Sequence, residues 1–235
     1  MAPLSGKLQR MQLAPTPDEL AALSTSLVVG ARAVAVALPL ALAAALALRR
    51  PFPGRAALDA VVHAPLVLPP VVVGYLLLLL FGVQGPLGWT GLRLVFTSEG
   101  ASLAAGVMAF PLMVRAMRLS LEAVDPRLEE AARSLGAGAL DRFATITLPL
   151  SLPGLLAAAV IGFAACLGEF GAVITFAANV PGETQTLPLA IYSALQSPGG
   201  EAAAARLAAL SFGLAIAGLA ASEAIARRAG AWIGR

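Results

Sequence analysis

The stretch EAARSLGAGALDRFATITLPLSLPG, residues 130–154, is the most polar and most helix-like segment of a chain that is otherwise strongly apolar. It lies between two long hydrophobic stretches, is interrupted near its middle by two glycines, and contains Pro149 and Pro153 near its end. A segment of this kind is unusual between two apolar stretches. The composition of the surrounding chain indicates the class of protein to which it belongs.

The composition indicates an integral membrane protein. The chain has 235 residues, of which 59% are hydrophobic and 12% charged, and its mean hydropathy is +0.85. A soluble globular domain carries roughly 25% charged residues, so this chain has too few to cover its surface in water. Aromatic residues make up only 6% of the chain, so its helices are expected to pack through small residues such as alanine and glycine.

Five stretches are apolar and long enough to cross a bilayer, which requires about 20 helical residues. We therefore predict an all-α, polytopic bundle of about five transmembrane helices that forms a single domain over residues 1–235. The predicted spans are residues 23–48, 59–82, 100–121, 150–178 and 202–226, with a cytoplasmic segment at 125–149. Residues 187–196 are too short to span and are expected to form a re-entrant or interfacial helix that begins at Thr186-Leu187-Pro188.

The basic residues orient this bundle. Eleven of them lie in the segments 49–55, 115–142 and 227–235, whereas only Lys7, Arg10 and Arg93 lie in the opposite set. Because cytoplasmic segments carry the excess of lysine and arginine, we expect the N-terminus outside and the C-terminus in the cytoplasm. The same distribution accounts for the net charge of +3 without a nucleic-acid partner, and membrane lipid is the expected surrounding.

The chain lacks the residues of common cofactor and catalytic sites. It has one cysteine, Cys166, and one histidine, His63, which excludes an internal disulfide and disfavours a zinc site. It has no GxxxxGK[ST] loop for the phosphates of ATP, and neither the GxSxG nor the HExxH motif of hydrolases. We therefore predict a non-catalytic subunit that binds no cofactor or metal, and an intramembrane enzyme is the less favoured alternative.

The cytoplasmic segment is predicted to begin with a short amphipathic helix. Asp125 and Pro126 are typical of a helix start, and Glu129 and Arg133 are spaced to form an ion pair. The apolar residues follow helical spacing along one face: Leu128, Ala131, Ala132 and Leu135. That face could rest on the protein's own helix ends, lie on the membrane surface, or fill a groove in a partner.

Glycines and prolines divide the rest of this segment. Gly136 and Gly138 are expected to end the first helix. A second amphipathic helix follows from Leu140, and Pro149 and Pro153 are expected to fix its join to the fourth span. The segment is therefore predicted to be stiff.

The same residues resemble a motif of ABC importer permeases. The run Glu130-Ala131-Ala132 is followed after three residues by Gly136, after nine more by Ile146, and after one more by Leu148-Pro149. The EAA motif of these permeases has these residues at this spacing. The resemblance implies a coupling helix that docks in a groove of an ATPase subunit. The residues implied in this coupling are Glu130, Ala131, Ala132, Leu135, Gly136, Ile146, Leu148 and Pro149.

Two further stretches are similar to permeases of the molybdate type. They are residues 49–82 and residues 168–201, the second of which contains NVPGETQTLPLAIY. Sulfate permeases are also similar around GEFG, residues 168–171, so sulfate and tungstate are alternative substrates. The resemblance implies a type I ABC importer permease fold in the bacterial inner membrane, a homodimer, a pair of ATPase subunits and an external oxyanion-binding protein.

Two groups of residues inside the predicted spans are candidates for the translocation pathway or its gate. Pro69 and Pro70 remove backbone donors in the second span and should kink it, either to line the pathway or for packing alone. Glu169 lies toward the outer end of the fourth span, between Gly168 and Gly171. A carboxylate at that depth is costly, and it is either a gate or polar anchor, or an interfacial residue paired with a neighbour.

Overall fold

The structure, a computed structural model, describes residues 14–233, and for residues 219 and 221–233 it describes the backbone alone. Ten α-helices and no strand occur among these residues, which confirms the predicted all-α fold. The helices are α1 (Pro17–Arg49), α2 (Arg55–Val67), α3 (Pro70–Phe81), α4 (Ser98–Glu122), α5 (Pro126–Ser134), α6 (Ala139–Arg142), α7 (Leu148–Gly168), α8 (Gly171–Ala177), α9 (Leu187–Gln196) and α10 (Glu201–Ile233).

The first helix begins at Pro17, ahead of the predicted start of the span at residue 23. Its N-terminus is capped reciprocally: Glu19 N–H donates to Thr16 Oγ1 at 3.3 Å, and Thr16 N–H donates to the Glu19 carboxylate at 3.0 Å. The Glu19 side chain is also buried against α10, where Arg206 donates to both carboxylate oxygens at 2.7 to 3.2 Å. This pairing allows an acidic residue to lie within the packed helix.

Some of the basic residues used to predict the orientation lie outside the part of the chain that the structure describes. Lys7, Arg10 and Arg235 are outside the described residues, and so are the side chains of Arg227 and Arg228. The orientation of the bundle in the membrane therefore remains a prediction.

The fourth helix, α4, lies at the centre of the bundle and packs against α1 and α7. Small residues make these contacts, as the composition predicts: Gly106 lies against Ala33 of α1, and Gly162 of α7 lies against Met113. A Cβ atom at Gly162 would approach the Met113 sulfur to 2.5 Å. A larger residue at this crossing would therefore have to displace the Met113 side chain.

The second predicted span is broken rather than kinked. The axes of α2 and α3 differ by 119°. Leu68 N–H still donates to Ala64 O at 3.1 Å, but Pro69 and Pro70 have no N–H with which to continue the ladder. Among the residues that the structure describes, four helical stretches are long and apolar enough to cross a membrane, or five if α2 and α3 form one span, which agrees with the predicted number.

The fourth predicted span is divided near its end and extended at its start. α7 ends at Gly168 and α8 begins at Gly171, whereas α6, a π-helical turn at Phe143–Thr147 and α7 form one continuous stretch. In the π turn, Leu148 N–H donates to Phe143 O, five residues back. This wider turn accommodates Pro149, whose ring would crowd the preceding turn of an α-helix. The second half of the segment 125–149 is therefore stiffly joined to α7.

The short apolar helix α9 has the bounds that the sequence predicts, Leu187–Gln196. Its buried residues pack against α1 and α10, and Leu187 N–H donates to Ser26 Oγ of α1 at 2.7 Å. α9 is thus fastened to the protein's own helices.

Candidate functional site

Helix α5, for which the sequence predicts a coupling role, forms where the sequence predicts a helix. The Asp125 carboxylate accepts a hydrogen bond from Arg127 N–H at 2.9 Å, and Pro126 is the first helical residue. Gly136 follows the helix with a φ of +88°, in the left-handed region that favours glycine. Gly138 then caps the start of α6.

The apolar face of this segment is exposed. The exposed fraction is 47% for Leu128, 89% for Leu135 and 86% for Leu140, and Ala131 is exposed beside them. We call these four residues, which lie on α5, at its C-cap and on α6, the coupling surface after the role that the sequence predicts for this segment. Large aliphatic side chains in such an arrangement, on a rigid element, are typical of a surface that binds a partner.

Glu129 forms different contacts from those that the sequence predicts. Instead of pairing with Arg133, its Oε1 accepts hydrogen bonds from Arg49 Nη1 and from Thr147 Oγ1, both at 2.9 Å. Burial opposes ionisation of Glu129, but these hydrogen bonds and the charges of Arg49 and Arg142 outweigh it and hold the Glu129 pKa below its usual range. Glu129 thereby ties α5 to the end of α1 and to the π turn before α7.

The residues of the EAA motif fall into two groups, one exposed at the surface and one partly buried against the rest of the protein. Glu130 and Ala131 are exposed, as are Leu135, Gly136 and Pro149. The other motif residues are half-buried: Ala132, Ile146 and Leu148. One part of the motif is therefore available to a partner, while the other part joins the segment to the bundle.

The two groups of candidate gate residues meet in space. Pro70 begins α3, Gly171 begins α8, and a Cβ atom at Gly171 would lie 2.7 Å from the Pro70 Cβ. A Cβ atom at Gly74 would likewise lie 2.7 Å from Ala172 O. The helix break at Pro69 is thus packed directly against the break that follows Gly168.

Glu169 lies in the gap between α7 and α8. Its carboxylate accepts a hydrogen bond from Ala172 N–H at 2.8 Å and so caps α8. In the part of the chain that the structure describes, its side chain forms no ion pair. A Cβ atom at Gly168 would meet no atom within 4 Å, so close packing needs Gly171 and not Gly168.

This gap lies within the depth of the bundle. α7 runs antiparallel to α4, since Gly154 lies against Ser120 and Gly162 lies against Met113. If this pairing of α7 with α4 is continued at the same helical rise, Gly168 lies level with about residue 107 of α4. That level is about 13 Å along α4 from Ser98. Two helix breaks and a carboxylate therefore meet inside the membrane-spanning region, where irregular backbone is found only in protein-lined surroundings.

Several polar contacts have no local signal in the sequence. Arg49 and Glu129 are 80 residues apart, and Arg206 and Glu19 are 187 apart. After α8, Asn179 Nδ2 donates to Ser193 Oγ at 2.8 Å. Sequence spacing predicts that Asp125 caps α5, but it does not predict which charged residues far apart in the sequence form ion pairs.

Comparisons with known proteins agree with this architecture. Residues 37–231 match the family described as "Binding-protein-dependent transport system inner membrane component". The chain is 57% identical over 187 residues to the molybdenum transport system permease protein ModB of Escherichia coli strain K12, covering 77% of this chain and 82% of that protein. It is 38% identical over 149 residues to the sulfate transport system permease protein CysT of Salmonella typhimurium, covering 62% of this chain and 54% of that protein.

Solved structures share the fold. A bacterial ABC transporter involved in the import of the acidic polysaccharide alginate superposes with a TM-score of 0.70 at 16% identity, over 96% of this chain and 90% of that chain. An amino acid ABC transporter superposes with a TM-score of 0.67 at 20% identity, over 97% of this chain and 99% of that chain.

Proposed function

We propose that this chain, which belongs to the family of binding-protein-dependent transport system inner membrane components, is the permease subunit of an ABC importer for a tetrahedral oxyanion, with molybdate as the favoured substrate. It is a multi-pass inner-membrane protein. The molybdenum permease of Escherichia coli, at 57% identity, supports molybdate. The sulfate permease, at 38% identity over 54% of its length, makes sulfate, and the chemically similar tungstate, second candidates.

The observation that carries the coupling role is the exposed coupling surface on a firmly anchored helix. Leu135 and Leu140 are almost fully exposed, while Glu129 and Thr147 fasten the same segment to the bundle. A free apolar patch would be a liability if nothing covered it. A groove on an ATPase subunit is the partner that the EAA spacing favours.

The remaining partners follow from the same role. Two copies of this chain enclose the pathway, and each presents its coupling surface to one of two ATPase subunits. An external binding protein delivers the oxyanion. The chain itself hydrolyses nothing and needs no cofactor, because the ATPase subunits supply the energy.

In the proposed cycle, ATP closes the ATPase pair and moves each α5 with its groove. Glu129 passes this motion to Arg49 at the end of α1, and the continuous helix from α6 to α7 passes it to the gap at Glu169. ATP can shift the permease between its two conformations only to the extent that the ATPase binds those conformations with different affinities. Positive φ at Gly136 localises bending beside the coupling surface.

We place the gate at the contact between α3 and α8. Two short helices that start side by side can separate without unfolding a full span. Pro70 and Gly171 provide the close contact, and Glu169 holds the start of α8. The oxyanion would pass this contact when it opens.

Substrate uptake tests the proposed function. In a strain that lacks this chain, the chain should restore uptake of radiolabelled molybdate, and excess sulfate should compete only weakly. Equal restoration of sulfate uptake would move the assignment to a sulfate permease. Uptake of neither anion, with the chain correctly inserted, would contradict the proposal.

Copurification with the ATPase tests the coupling surface. Leu135→Asp should weaken ATPase binding by about tenfold or more, as for a buried anchor residue. The matched control is Leu195→Asp, at an exposed leucine of α9, which should leave ATPase binding unchanged. Equal binding by both variants would show that the ATPase docks elsewhere.

A further inference from the structure

A deep groove lies between α1, α2 and α4, on the membrane-spanning part of the chain. Its volume is about 630 Å³, and its lining is almost entirely aliphatic and aromatic. Representative lining residues are Val36, Leu40, Val61, Leu103, Val107 and Phe110. Such a lining suits a hydrocarbon chain and does not suit an oxyanion, which needs hydrogen-bond donors.

One end of the groove is charged. Arg32 Nη1 donates to Ser98 Oγ at 2.8 Å and lies 3.2 Å from Glu99 Oε1. The side chains of Arg32 and Glu99 are 50% and 60% exposed, so both can reach a further ligand. Arg32 extends toward the start of α4, as a long cationic side chain does near a membrane surface.

A smaller polar pocket of about 190 Å³ is lined in part by Ser98, the residue to which Arg32 donates. Its other lining residues are Ser24, Thr25, Val28, Gly182 and Glu183. An apolar groove, a charged junction and a hydroxyl-lined pocket therefore follow one another.

The dimensions match one leaflet of a bilayer. Glu99 and Phe110 mark the extent of the groove along α4, which is about 16 Å at the helical rise. Half of the hydrocarbon core is about 15 Å. Arg118, which pairs with Asp59 at 3.3 Å, lies about 28 Å from Glu99 along the same helix. Glu99 and Arg118 thus lie near opposite boundaries of the hydrocarbon region.

We propose that this groove binds one phospholipid whose headgroup carries both a phosphate and an ammonium group, such as phosphatidylethanolamine. An acyl chain occupies the groove, Arg32 binds the phosphate, and Glu99 and Glu183 accept from the ammonium group. Charge selects this headgroup: Glu99 already pairs with the single guanidinium of Arg32 and Glu183 lines the neighbouring pocket, so two carboxylates repel an anionic lipid that has no ammonium group. The site does not depend on the transported substrate or on which side of the membrane Ser98 faces.

Native mass spectrometry of the full-length permease with its bound partners tests the site. The complex is released from nanodiscs that contain equal amounts of phosphatidylethanolamine and phosphatidylglycerol. Phosphatidylethanolamine should be retained in excess, and Arg32→Gln should lower its retention about tenfold, as for loss of a charged hydrogen bond. Arg93→Gln, an equal charge change at an exposed position, is the control and should retain the lipid. Equal retention of the two lipids, or unchanged retention in Arg32→Gln, would overturn the proposal.

Filling the groove provides a test that leaves the charges in place. Val36→Trp should expel the lipid, whereas Ile216→Trp, at an exposed position of α10, should not. Val36→Cys distinguishes lipid from a second copy of the chain. Rapid disulfide linkage of two copies through that cysteine would show that protein covers the groove and would overturn the lipid assignment.

Discussion

At the scale of single residues, Glu129 connects α5 to the bundle. Its Oε1 accepts from both Arg49 and Thr147, so Glu129→Gln keeps the shape and removes the charge. We expect uptake to fall about fivefold, the effect of an ion pair worth about 1 kcal/mol, with membrane insertion unchanged. Uptake measured for Glu129→Gln, Arg49→Gln and the double variant gives the coupling, which should be less than additive. Full additivity would contradict a direct connection.

The pKa of the same carboxylate predicts a pH dependence. Because the folded-state pKa of Glu129 is lowered, its contribution to stability is complete above the ordinary glutamate pKa and is lost as the pH falls through the lowered value. Thermal unfolding of the wild type should therefore show a larger acid-side loss of stability than that of Glu129→Gln. Parallel profiles for the two proteins would contradict this assignment.

Single residues also show what sequence reasoning could reach. Asp125, Pro126 and Gly136 act on the backbone beside them, so the bounds of α5 were predictable. Local spacing pairs Glu129 with Arg133, whereas the partner in the structure, Arg49, lies 80 residues away. Long-range charge pairing depends on how helices pack, and a single sequence does not contain that information locally.

At the scale of helices, the contact between α3 and α8 depends on a missing side chain. A Cβ atom at Gly171 would approach the Pro70 Cβ to 2.7 Å, so Gly171→Ala should push the two helices apart. We expect a loss of about 1–3 kcal/mol of stability and slower uptake. Gly168→Ala is the matched control, because no atom lies within 4 Å of its added Cβ. Similar melting temperatures for the two variants would contradict the close contact.

The turn after α5 permits a second paired comparison. Gly136 has a φ of +88°, whereas Gly138 has a φ of −66°. Gly136→Ala should cost about 1–2 kcal/mol in the left-handed region and should loosen the coupling surface. Gly138→Ala should be tolerated. ATPase activity that no longer responds to substrate in Gly136→Ala alone would support the turn as part of the coupling, and identical behaviour of both variants would count against it.

The break between α2 and α3 shows the limit of prediction at this scale. Two adjacent prolines predict an interruption, because neither has an N–H to donate. They do not predict a change of direction of 119°, since that angle is set by the packing of α3 on α8. The sequence likewise marked Glu169 as unusual, but its role as the cap of α8 required the structure.

At the scale of the whole molecule, α1 is fastened at both ends. Glu19 binds Arg206 of α10 at one end, and Arg49 binds Glu129 of α5 at the other. In the proposed cycle, a pull on α5 would therefore be passed along α1 to the opposite side of the bundle. α1 thus connects the segment that carries the coupling surface with α10.

The connection at Glu19 can be tested by comparing two ion pairs. The side chains of Glu19 and Arg206 are 6% and 17% exposed, against 60% and 50% for Glu99 and Arg32. Removing one partner of a buried pair leaves an unpaired charge, whereas an exposed pair contributes little. Glu19→Gln should therefore lower the melting temperature of the purified permease by several degrees, and Glu99→Gln should barely change it.

Replacing both Glu19 and Arg206 by apolar residues should recover part of the loss, since neither charge is then left alone. Equal shifts for Glu19→Gln and Glu99→Gln would show that α1 is not held in this way.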